Sequence, residues 1–247
     1  MISGIMKEEV MLGDACQLIK NIPDESINLI LTDPPYSVDM NNKHKELEKT
    51  GKPREKQVKR DESFKDELTN EQIKSIAQDF YRVLKNNSHI YVFSGDKQLH
   101  LWIEALINAG FKKYQILVWK KNKSSFDLSM GGYYKQNNEL IIYAHKGFKK
   151  LNHHRNPLSR SVLVFDTNNQ NRFHSCEKNL SLLYFLIKQS SEEGDVILDP
   201  FAGSGNHLIA AKRLNRVPIG FEISEQYYDI ILKRLSFEEK QKELKFL

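Results

Sequence analysis

The fold of this chain is decided by the stretch VILDPFAGSGNHLIAAKRLNRVPIGFE, residues 196–222. Its hydrophobic pattern predicts a buried strand at 196–198, a glycine loop, a helix at about 206–214, and a second strand at 218–221 that ends at Glu222. A strand, a crossover helix and a second strand form a βαβ unit, the building block of a parallel sheet. The sequence therefore predicts an α/β fold.

The rest of the chain continues this alternation of short apolar runs and helical stripes. Further strands are predicted at 27–31, 90–93, 114–119 and 140–144, and further helices at 71–84, 98–109, 180–188 and 224–235. We expect a doubly wound, mixed and mostly parallel sheet with helices on both faces. Ligands should then bind at the carboxyl ends of the strands.

Composition restricts the class of protein. The chain has 247 residues with 40% hydrophobic content, which is enough to fill a core and excludes global disorder. Its net charge of +5 permits an anionic partner. The two cysteines, Cys16 and Cys176, cannot form a disulfide scaffold, and neither a signal peptide nor a membrane span is visible. We expect a cytoplasmic protein.

The glycine loop at 199–205 leads into a helix whose first backbone N–H groups can approach a ligand. Asn206-His207 stand where a phosphate-binding loop needs Lys-Ser/Thr, and Leu208 occupies the third glycine position of the dinucleotide fingerprint. Glu222 lies at the distance at which an acidic residue accepts hydrogen bonds from a ribose diol. These parts suit a nucleoside without a pyrophosphate, such as S-adenosylmethionine. The alternative is an ordinary βαβ unit with a solvated Glu222.

A second motif, Asp33-Pro34-Pro35-Tyr36, directly follows the predicted strand at 27–31. Its two prolines fix φ and hold the preceding residue extended. A segment this stiff can direct a carboxylate, a carbonyl and an aromatic ring at one small target. Taken alone, the tetrapeptide also fits a turn without a function.

Together the two motifs resemble the β-class DNA amino-methyltransferases, the N6-adenine/N4-cytosine family. In that family an Asp-Pro-Pro-Tyr catalytic motif precedes a Phe-x-Gly-x-Gly cofactor motif, and the order and long separation agree here. Leu12-Gly13-Asp14 and the segment NELIIY at 138–143 are similar to further family segments. The segment HSCEKN at 174–179 is similar to the family's His-Pro-Thr-x-Lys-Pro, although Ser175, Cys176 and Asn179 depart from it.

This resemblance implies the fold of S-adenosylmethionine-dependent methyltransferases with a permuted motif order, in one catalytic domain spanning 1–247. The catalytic residues would be Asp33, Pro34, Pro35 and Tyr36. S-adenosylmethionine would be bound by Asp14, Ala15, Asp33, Lys178, Asp199, Phe201, Ala202, Gly203, Ser204, Gly205, Asn206, Glu222 and Ile223. No metal site is expected, because His153-His154 lacks further ligands at metal spacing.

The implied chemistry is methylation of an exocyclic amine, a poor nucleophile because its lone pair is delocalised into the base. The enzyme must hold the nitrogen in line with the sulfonium methyl group and stabilise the charge that develops. We expect the Asp33 carboxylate and the Pro34 carbonyl to accept the two amino hydrogens. Pro35 would keep the turn rigid, and Tyr36 would stack on the base after base flipping.

Two features favour adenine as the methylated base. Within the resembled family, Asp at the first position of the motif is typical of adenine enzymes and Ser of N4-cytosine enzymes. The ring of Tyr36 also offers more stacking area to a purine than to a pyrimidine. The predicted function is a site-specific DNA (adenine-N6) methyltransferase. The alternatives are an N4-cytosine DNA methyltransferase and a non-catalytic DNA-binding protein on the same scaffold.

DNA recognition would fall to the segments outside this pattern. Residues 43–60 contain eight Lys or Arg and three Glu, so the stretch 39–63 is predicted to be a basic mobile insertion. It either contacts phosphates or is only a solvated loop. The segments 121–135 and 146–173 also interrupt the predicted sheet, and 146–173 is the candidate DNA-recognition segment. The expected partner is double-stranded DNA, with a homodimer and a cognate restriction endonuclease of a restriction-modification system as further candidates.

Overall fold

A computed structural model of the chain describes residues 9–35, 67–121, 137–152, 160–165 and 178–244, with no side chains described for 242–244. The strands are β1 (Glu9–Leu12), β2 (Ile27–Thr32), β3 (Leu84–Ser94), β4 (Tyr114–Lys120), β5 (Asn138–Lys146), β6 (Val162–Val164), β7 (Val196–Asp199) and β8 (Val217–Glu222). The α-helices are α1 (Ala15–Leu18), α2 (Asn70–Val83), α3 (Leu99–Ala109), α4 (Leu180–Ser190), α5 (Asn206–Arg213) and α6 (Glu225–Leu244). Within these ranges, no helix is both long and apolar enough to cross a membrane.

The eight strands form one sheet in the order β1-β8-β7-β2-β3-β5-β4-β6. β5 pairs antiparallel with β3 and with β4, and the five remaining pairings are parallel. The predicted mixed, mostly parallel sheet is therefore confirmed. Because β5 runs against its neighbours, its first residues lie at the same edge as the carboxyl ends of the other strands.

Helices cover both faces of the sheet, and the side chains of β2 show how. Ile30 packs in one apolar cluster with Phe80 of α2 and Trp102 of α3. Its neighbours along the strand, Leu29 and Leu31, belong to a second cluster that includes the buried leucines of α4. Successive strand residues point to opposite faces, so this alternation requires apolar cover on both.

The structure differs from the sequence prediction at the ends of the sheet. β1 and α1 were not predicted, because four residues are too few to show a period. The segment 146–173 was expected to interrupt the sheet, but its one apolar run forms β6, which extends the sheet beyond β4. That expectation was wrong for Val162–Val164, whose main-chain groups find partners on the neighbouring strand. The last helix, predicted at 224–235, continues through the following charged residues as far as Leu244.

Candidate active site at the carboxyl edge of the sheet

Three motifs meet at one edge because their strands are neighbours in the order β8-β7-β2. Asp33 follows the end of β2, Asp199 ends β7, and Glu222 ends β8. The hydroxyl of Thr32 donates a hydrogen bond of 2.7 Å to Oδ1 of Asp199, which ties the two motifs together. The strand that follows β2 in the chain, β3, lies on the side of β2 away from β7, and the strand that follows β7, β8, lies on the side of β7 away from β2. This is the topological switch point at which α/β proteins bind ligands.

Asp33 begins a row of alternating charges, here named the charge row, that also contains Lys178, Glu139 and Lys121. The Lys178 ammonium lies 2.7 Å from Oδ2 of Asp33 and 2.9 Å from Oε2 of Glu139. The Lys121 ammonium lies 2.5 Å from Oε1 of Glu139. Oδ1 of Asp33 is buried and has no hydrogen-bond partner in the described part of the chain. One oxygen of Asp33 is therefore held, and the other remains available as an acceptor.

The pKa values of the two carboxyl groups in the charge row are shifted in opposite directions. Burial raises the pKa of Asp33 above its ordinary value; the nearby Lys178 ammonium opposes this shift, and the Glu139 carboxylate adds to it. Burial also acts to raise the pKa of Glu139, but Lys178 and Lys121 together outweigh it and hold that pKa below its usual range. Of the two carboxylates, Asp33 is therefore the one whose negative charge is less fully balanced by neighbouring lysines.

Behind Asp33 lies a buried pair formed by Asp199 and His207. Nδ1 of His207 lies 2.6 Å from Oδ2 of Asp199, and the backbone N–H of Phe201 donates to Oδ1 of Asp199 at 3.1 Å. The His207 ring stacks on Phe93 at 5.8 Å between centroids. Its Nε2 atom is buried, without a partner among the described residues. The Asp199 side chain is fully buried and supports the glycine loop from beneath.

The glycine loop is also held in place by hydrogen bonds from Arg234. Arg234 of α6 donates to the Ser204 carbonyl and to Oδ1 of Asn206, both at 2.6 Å. Nδ2 of Asn206 donates in turn to the carbonyl of Lys178 at 2.9 Å. Gly205 adopts a left-handed φ of +87°, and an added Cβ there would lie 2.9 Å from Ile231. The loop and the charge row are consequently parts of one connected structure.

Glu222 is fixed by the backbone of two neighbouring turns. Its Oε2 accepts from the N–H of Gly203 at 2.7 Å, and its Oε1 accepts from the N–H of Ser224 at 2.8 Å. Burial raises the pKa of the Glu222 carboxyl above its ordinary value, although these two donors oppose the shift. The N–H of Gly13 donates to the carbonyl of Glu222 at 2.8 Å, which brings the following Asp14 to the same edge.

These residues fit the nucleoside half of S-adenosylmethionine. The backbone N–H groups of Gly203, Ser224 and Ile223 donate to the Glu222 carboxylate, and a carboxylate has about four acceptor sites, so acceptor capacity remains for a ribose hydroxyl. An added Cβ on Gly203 would meet no atom within 4 Å, so the loop borders open space. The Ile223 side chain is 66% exposed beside Glu222 and offers an apolar surface.

The structure brings most of the predicted site residues to this edge. Asp33, Asp14, Lys178, Glu222 and the loop at 199–206 meet there. Tyr36, the insertion at 39–63, the segment 174–177 and most of 121–135 lie outside the described residues. Trp119 of β4 is buried and belongs to the core, and its indole N–H donates to the Phe165 carbonyl at 3.0 Å.

The sequence reasoning missed two residues of this site, Glu139 and His207. Glu139 lies in the segment 138–143, where the apolar run predicts a strand but assigns no role to its one acid. A charged residue at the start of a buried strand was the available signal, since buried charges need partners. His207 was considered only as a departure from the phosphate-loop pattern, and nothing local indicated its pairing with Asp199.

Comparison with known proteins identifies the family. A model of the N6_N4_Mtase family, described as DNA methylase, matches residues 27–233. The chain belongs to this DNA methylase family. It is 27% identical to the type II methyltransferase M.HindIII of Haemophilus influenzae over 92% of this chain and 94% of that protein. It is also 27% identical to the type II methyltransferase M.HpaI of Haemophilus parainfluenzae over 94% of this chain and 76% of that protein.

Solved structures agree on the fold of this DNA methylase. The M1.HpyAVI–SAM complex superposes with a TM-score of 0.68 at 23% identity, covering 92% of this chain and 98% of that one. The PvuII DNA methyltransferase, cytosine-N4-specific, superposes with a TM-score of 0.70 at 17% identity, covering 93% and 86%. The predicted methyltransferase fold and the N6/N4 DNA methylase family are confirmed. S-adenosylmethionine is the cofactor of that family, and M1.HpyAVI was solved in complex with it.

Proposed function

We propose that this chain is a site-specific DNA methyltransferase that methylates the N6 amine of an adenine flipped out of duplex DNA. The observation that carries the proposal is Oδ1 of Asp33, a buried acceptor without a partner in the described residues, at the edge that Glu222 and the glycine loop share. A buried acceptor in this position requires a donor. The exocyclic amine of a base supplies that donor.

The residues of the chain act on the amine in two ways. Oδ1 of Asp33 accepts one amino hydrogen and the carbonyl of Pro34 accepts the other, which draws the nitrogen lone pair out of conjugation with the ring. As the new N–C bond forms and the bond between the sulfonium sulfur and its methyl group breaks, the Asp33 carboxylate stabilises the positive charge that develops on the nitrogen, which then loses one proton. S-adenosylmethionine, when bound by Glu222, Asp14 and the glycine loop, supplies the electrophilic methyl group. Tyr36 is assigned the stacking contact with the flipped base.

Adenine is preferred over cytosine on the first residue of the motif. Asp33 stands where the resembled family has Asp in adenine enzymes and more usually Ser in N4-cytosine enzymes. A purine also gains more stacking area on Tyr36. The experiment is to incubate the purified protein with S-adenosylmethionine and mixed-sequence duplex DNA, digest to nucleosides, and identify the product by mass spectrometry. We expect N6-methyladenine. Methylation of cytosine alone would refute the adenine assignment.

Replacing the proposed acceptor should abolish transfer. We expect Asp33→Ala to lower turnover by ~10²-fold or more, because loss of one charge-stabilising acceptor has that effect in other enzymes. Affinity for S-adenosylmethionine, measured by calorimetry, should change little, since Asp33 faces the amine. Asp96→Ala, at an exposed aspartate after the neighbouring strand β3, is the matched control. An Asp33→Ala variant with more than about a tenth of wild-type turnover would contradict the role.

The partners follow from the same proposal. The match over 27–233 supports a single catalytic domain spanning 1–247. On the charge and pattern of the sequence, 39–63 is proposed as its basic insertion that contacts phosphates and 146–173 as its DNA-recognition segment. Because the relatives above are type II methyltransferases, we propose that methylation by this chain protects a short recognition sequence from a cognate restriction endonuclease. A homodimer is proposed on the family resemblance. Methylome sequencing of cells expressing the protein gives the recognition sequence directly.

A further inference from the structure

Lys178 is shared between two carboxylates at the centre of the charge row. Its side chain is 4% exposed and its ammonium contacts Asp33 at 2.7 Å and Glu139 at 2.9 Å. The ammonium also lies 5.1 Å from the centroid of the Phe93 ring. A buried cation between two carboxylates cannot neutralise both completely. Any change at one carboxylate therefore alters how strongly the cation is held by the other.

The position of Lys178 is fixed by its backbone. Its carbonyl accepts from Asn206, at the start of the glycine-loop helix. The next residue, Asn179, caps α4 by accepting from the N–H of Leu182 at 3.1 Å. Glu139 is fixed equally well, because it pairs in register with Trp119 at the start of β5. Neither Lys178 nor Glu139 can move away from Asp33 without disturbing the sheet or the glycine loop.

We propose that Lys178 and Glu139 are positioning residues of the methyl transfer: Lys178 holds Oδ2 of Asp33 so that Oδ1 faces the amine, and Glu139 withdraws part of the ammonium's charge from Asp33. The inference rests on the proposed function of Asp33 as the amine acceptor. A carboxylate bound fully to an ammonium is a weak acceptor, whereas a buried carboxylate without a cation takes up a proton. Sharing the lysine keeps Asp33 between these two states.

The proposal assigns opposite effects to the two partners. Without the Lys178 ammonium, the partly buried carboxyl groups of Asp33 and Glu139 lose the cation that both contact, so Asp33 becomes protonated at a higher pH. Without the Glu139 charge, Lys178 binds Asp33 alone, so Asp33 stays ionised to a lower pH but becomes a poorer acceptor. A purely structural role for either residue predicts no such opposition.

Other charges near Asp33 come from two elements. His207 of α5 is close enough for its charge to affect the Asp33 carboxyl, and its Nδ1 pairs with Asp199 at the end of β7. Lys121, just after β4, contacts Glu139. Since His207 and Lys121 remain in place in the variants below, the differences between those variants report on the shared lysine.

The test is the pH dependence of single-turnover methylation of duplex DNA, with S-adenosylmethionine and DNA saturating. Lys178→Met should move the acid limb of the profile to higher pH, by roughly one unit or more, and lower the maximal rate at least tenfold. Glu139→Gln should move the acid limb to lower pH and lower the maximal rate by a smaller factor. Lys120→Met removes an exposed lysine next to the charge row and should leave the limb where it is.

Cofactor affinity and fold provide the remaining measurements. S-adenosylmethionine affinity should stay near the wild-type value in Glu139→Gln. Lys178→Arg, which keeps the cation, should retain the wild-type acid limb. If Lys178→Met does not fold, by its circular dichroism melting curve, Glu139→Gln and Lys178→Arg still decide the question.

Three outcomes would overturn the proposal: acid limbs that move in the same direction, limbs that do not move, or a loss of cofactor affinity in Lys178→Met with an unmoved limb. Its failure is distinguishable from failure of the proposed function. If the wild type makes no methylated base, or Asp33→Ala retains its rate, the assignment of Asp33 fails first. If the wild type is active and Asp33→Ala is inactive, unmoved limbs refute only the shared lysine.

Discussion

Glu222 illustrates at the scale of one residue how burial and function are linked. Two backbone N–H groups fix both of its oxygens, and burial raises the pKa of its carboxyl. The ionised form is the better acceptor for ribose hydroxyls, and a raised pKa means that this form is lost at a higher pH than for an ordinary glutamate.

We therefore expect the affinity for S-adenosylmethionine to depend on the charge of Glu222. Affinity should be full at pH values above the raised pKa of Glu222 and fall as the pH drops through it. Glu222→Ala should weaken binding by roughly 10- to 100-fold, since hydrogen bonds to a charged group contribute about 1.5–3 kcal/mol. Titration calorimetry over a pH series measures both effects, with Glu225→Ala at a neighbouring exposed acid as control. Affinity independent of pH and of the substitution would argue against the ribose contact.

His89, buried in β3, couples a single side chain to the stability of the fold. The Tyr91 hydroxyl donates to Oγ of Ser190, the Ser190 hydroxyl donates to Nδ1 of His89, and Nε2–H of His89 donates to the Lys149 carbonyl. This chain of bonds requires a neutral imidazole. Burial lowers the pKa of His89 from 6.5 to about 4.

The consequence is a pH-dependent loss of stability that His89→Gln should remove. Between pH 6.5 and 4 the unfolded chain binds a proton at His89 and the folded chain does not, so the free energy of unfolding falls as the pH falls. The contribution is about 1.4 kcal/mol per pH unit. Urea unfolding of wild type and His89→Gln across this range measures the difference, and His100→Gln, at an exposed histidine, is the control. Parallel curves for wild type and His89→Gln would disprove it.

At the scale of elements, the glycine loop depends on its contact with α6. Gly205 and Gly194 share a left-handed φ, +87° and +84°, but only Gly205 has Ile231 of α6 where a Cβ would go. Alanine at either position incurs the left-handed backbone strain, about 1 kcal/mol. Gly205→Ala should cost roughly 1–3 kcal/mol more, because the added methyl group overpacks the loop against α6.

Comparison of the two glycine variants isolates that contact. Chemical denaturation of Gly205→Ala and Gly194→Ala gives the stability difference, and calorimetry should find weakened S-adenosylmethionine binding only in Gly205→Ala. Equal losses of stability in both variants would contradict this, because they would mean that α6 accommodates the added methyl group without a further loss of stability.

The elements that could be predicted are those long enough for their apolar residues to show the hydrophobic pattern of a helix or a strand. The strand before Asp33 and the unit from β7 to β8 are buried on both faces, so their apolar runs are visible in the sequence. β3 was predicted at only 90–93 because its first half contains Asn86, Asn87 and Ser88. The charge row could not be predicted, since it depends on β5 entering the sheet between β3 and β4 in the reverse direction.

At the scale of the whole molecule, the positive charge of the chain is concentrated in one segment. The net charge of residues 43–60 equals that of the entire chain, +5, and the segment lies outside the described residues. We expect neutralisation of four of its basic residues to weaken DNA binding on every sequence. The slope of log affinity against log salt should flatten by about 0.9 for each phosphate that the protein no longer neutralises. Fluorescence anisotropy at several salt concentrations measures the slope, and an unchanged slope would contradict phosphate binding by this segment.

The order of the strands also has a consequence for synthesis on the ribosome. β7 and β8 insert between β1 and β2, yet 168 residues separate Asn28 of β2 from its partner Val196 of β7. At translation rates of about 5–20 residues per second, β2 waits roughly ten to thirty seconds for its neighbour. Until then the nascent chain exposes an unpaired strand edge on each side of the gap, and such edges attract other chains. The gap closes only when β8, the later of the two strands that fill it, has left the exit tunnel, so the nascent chain is exposed to aggregation until synthesis is nearly finished.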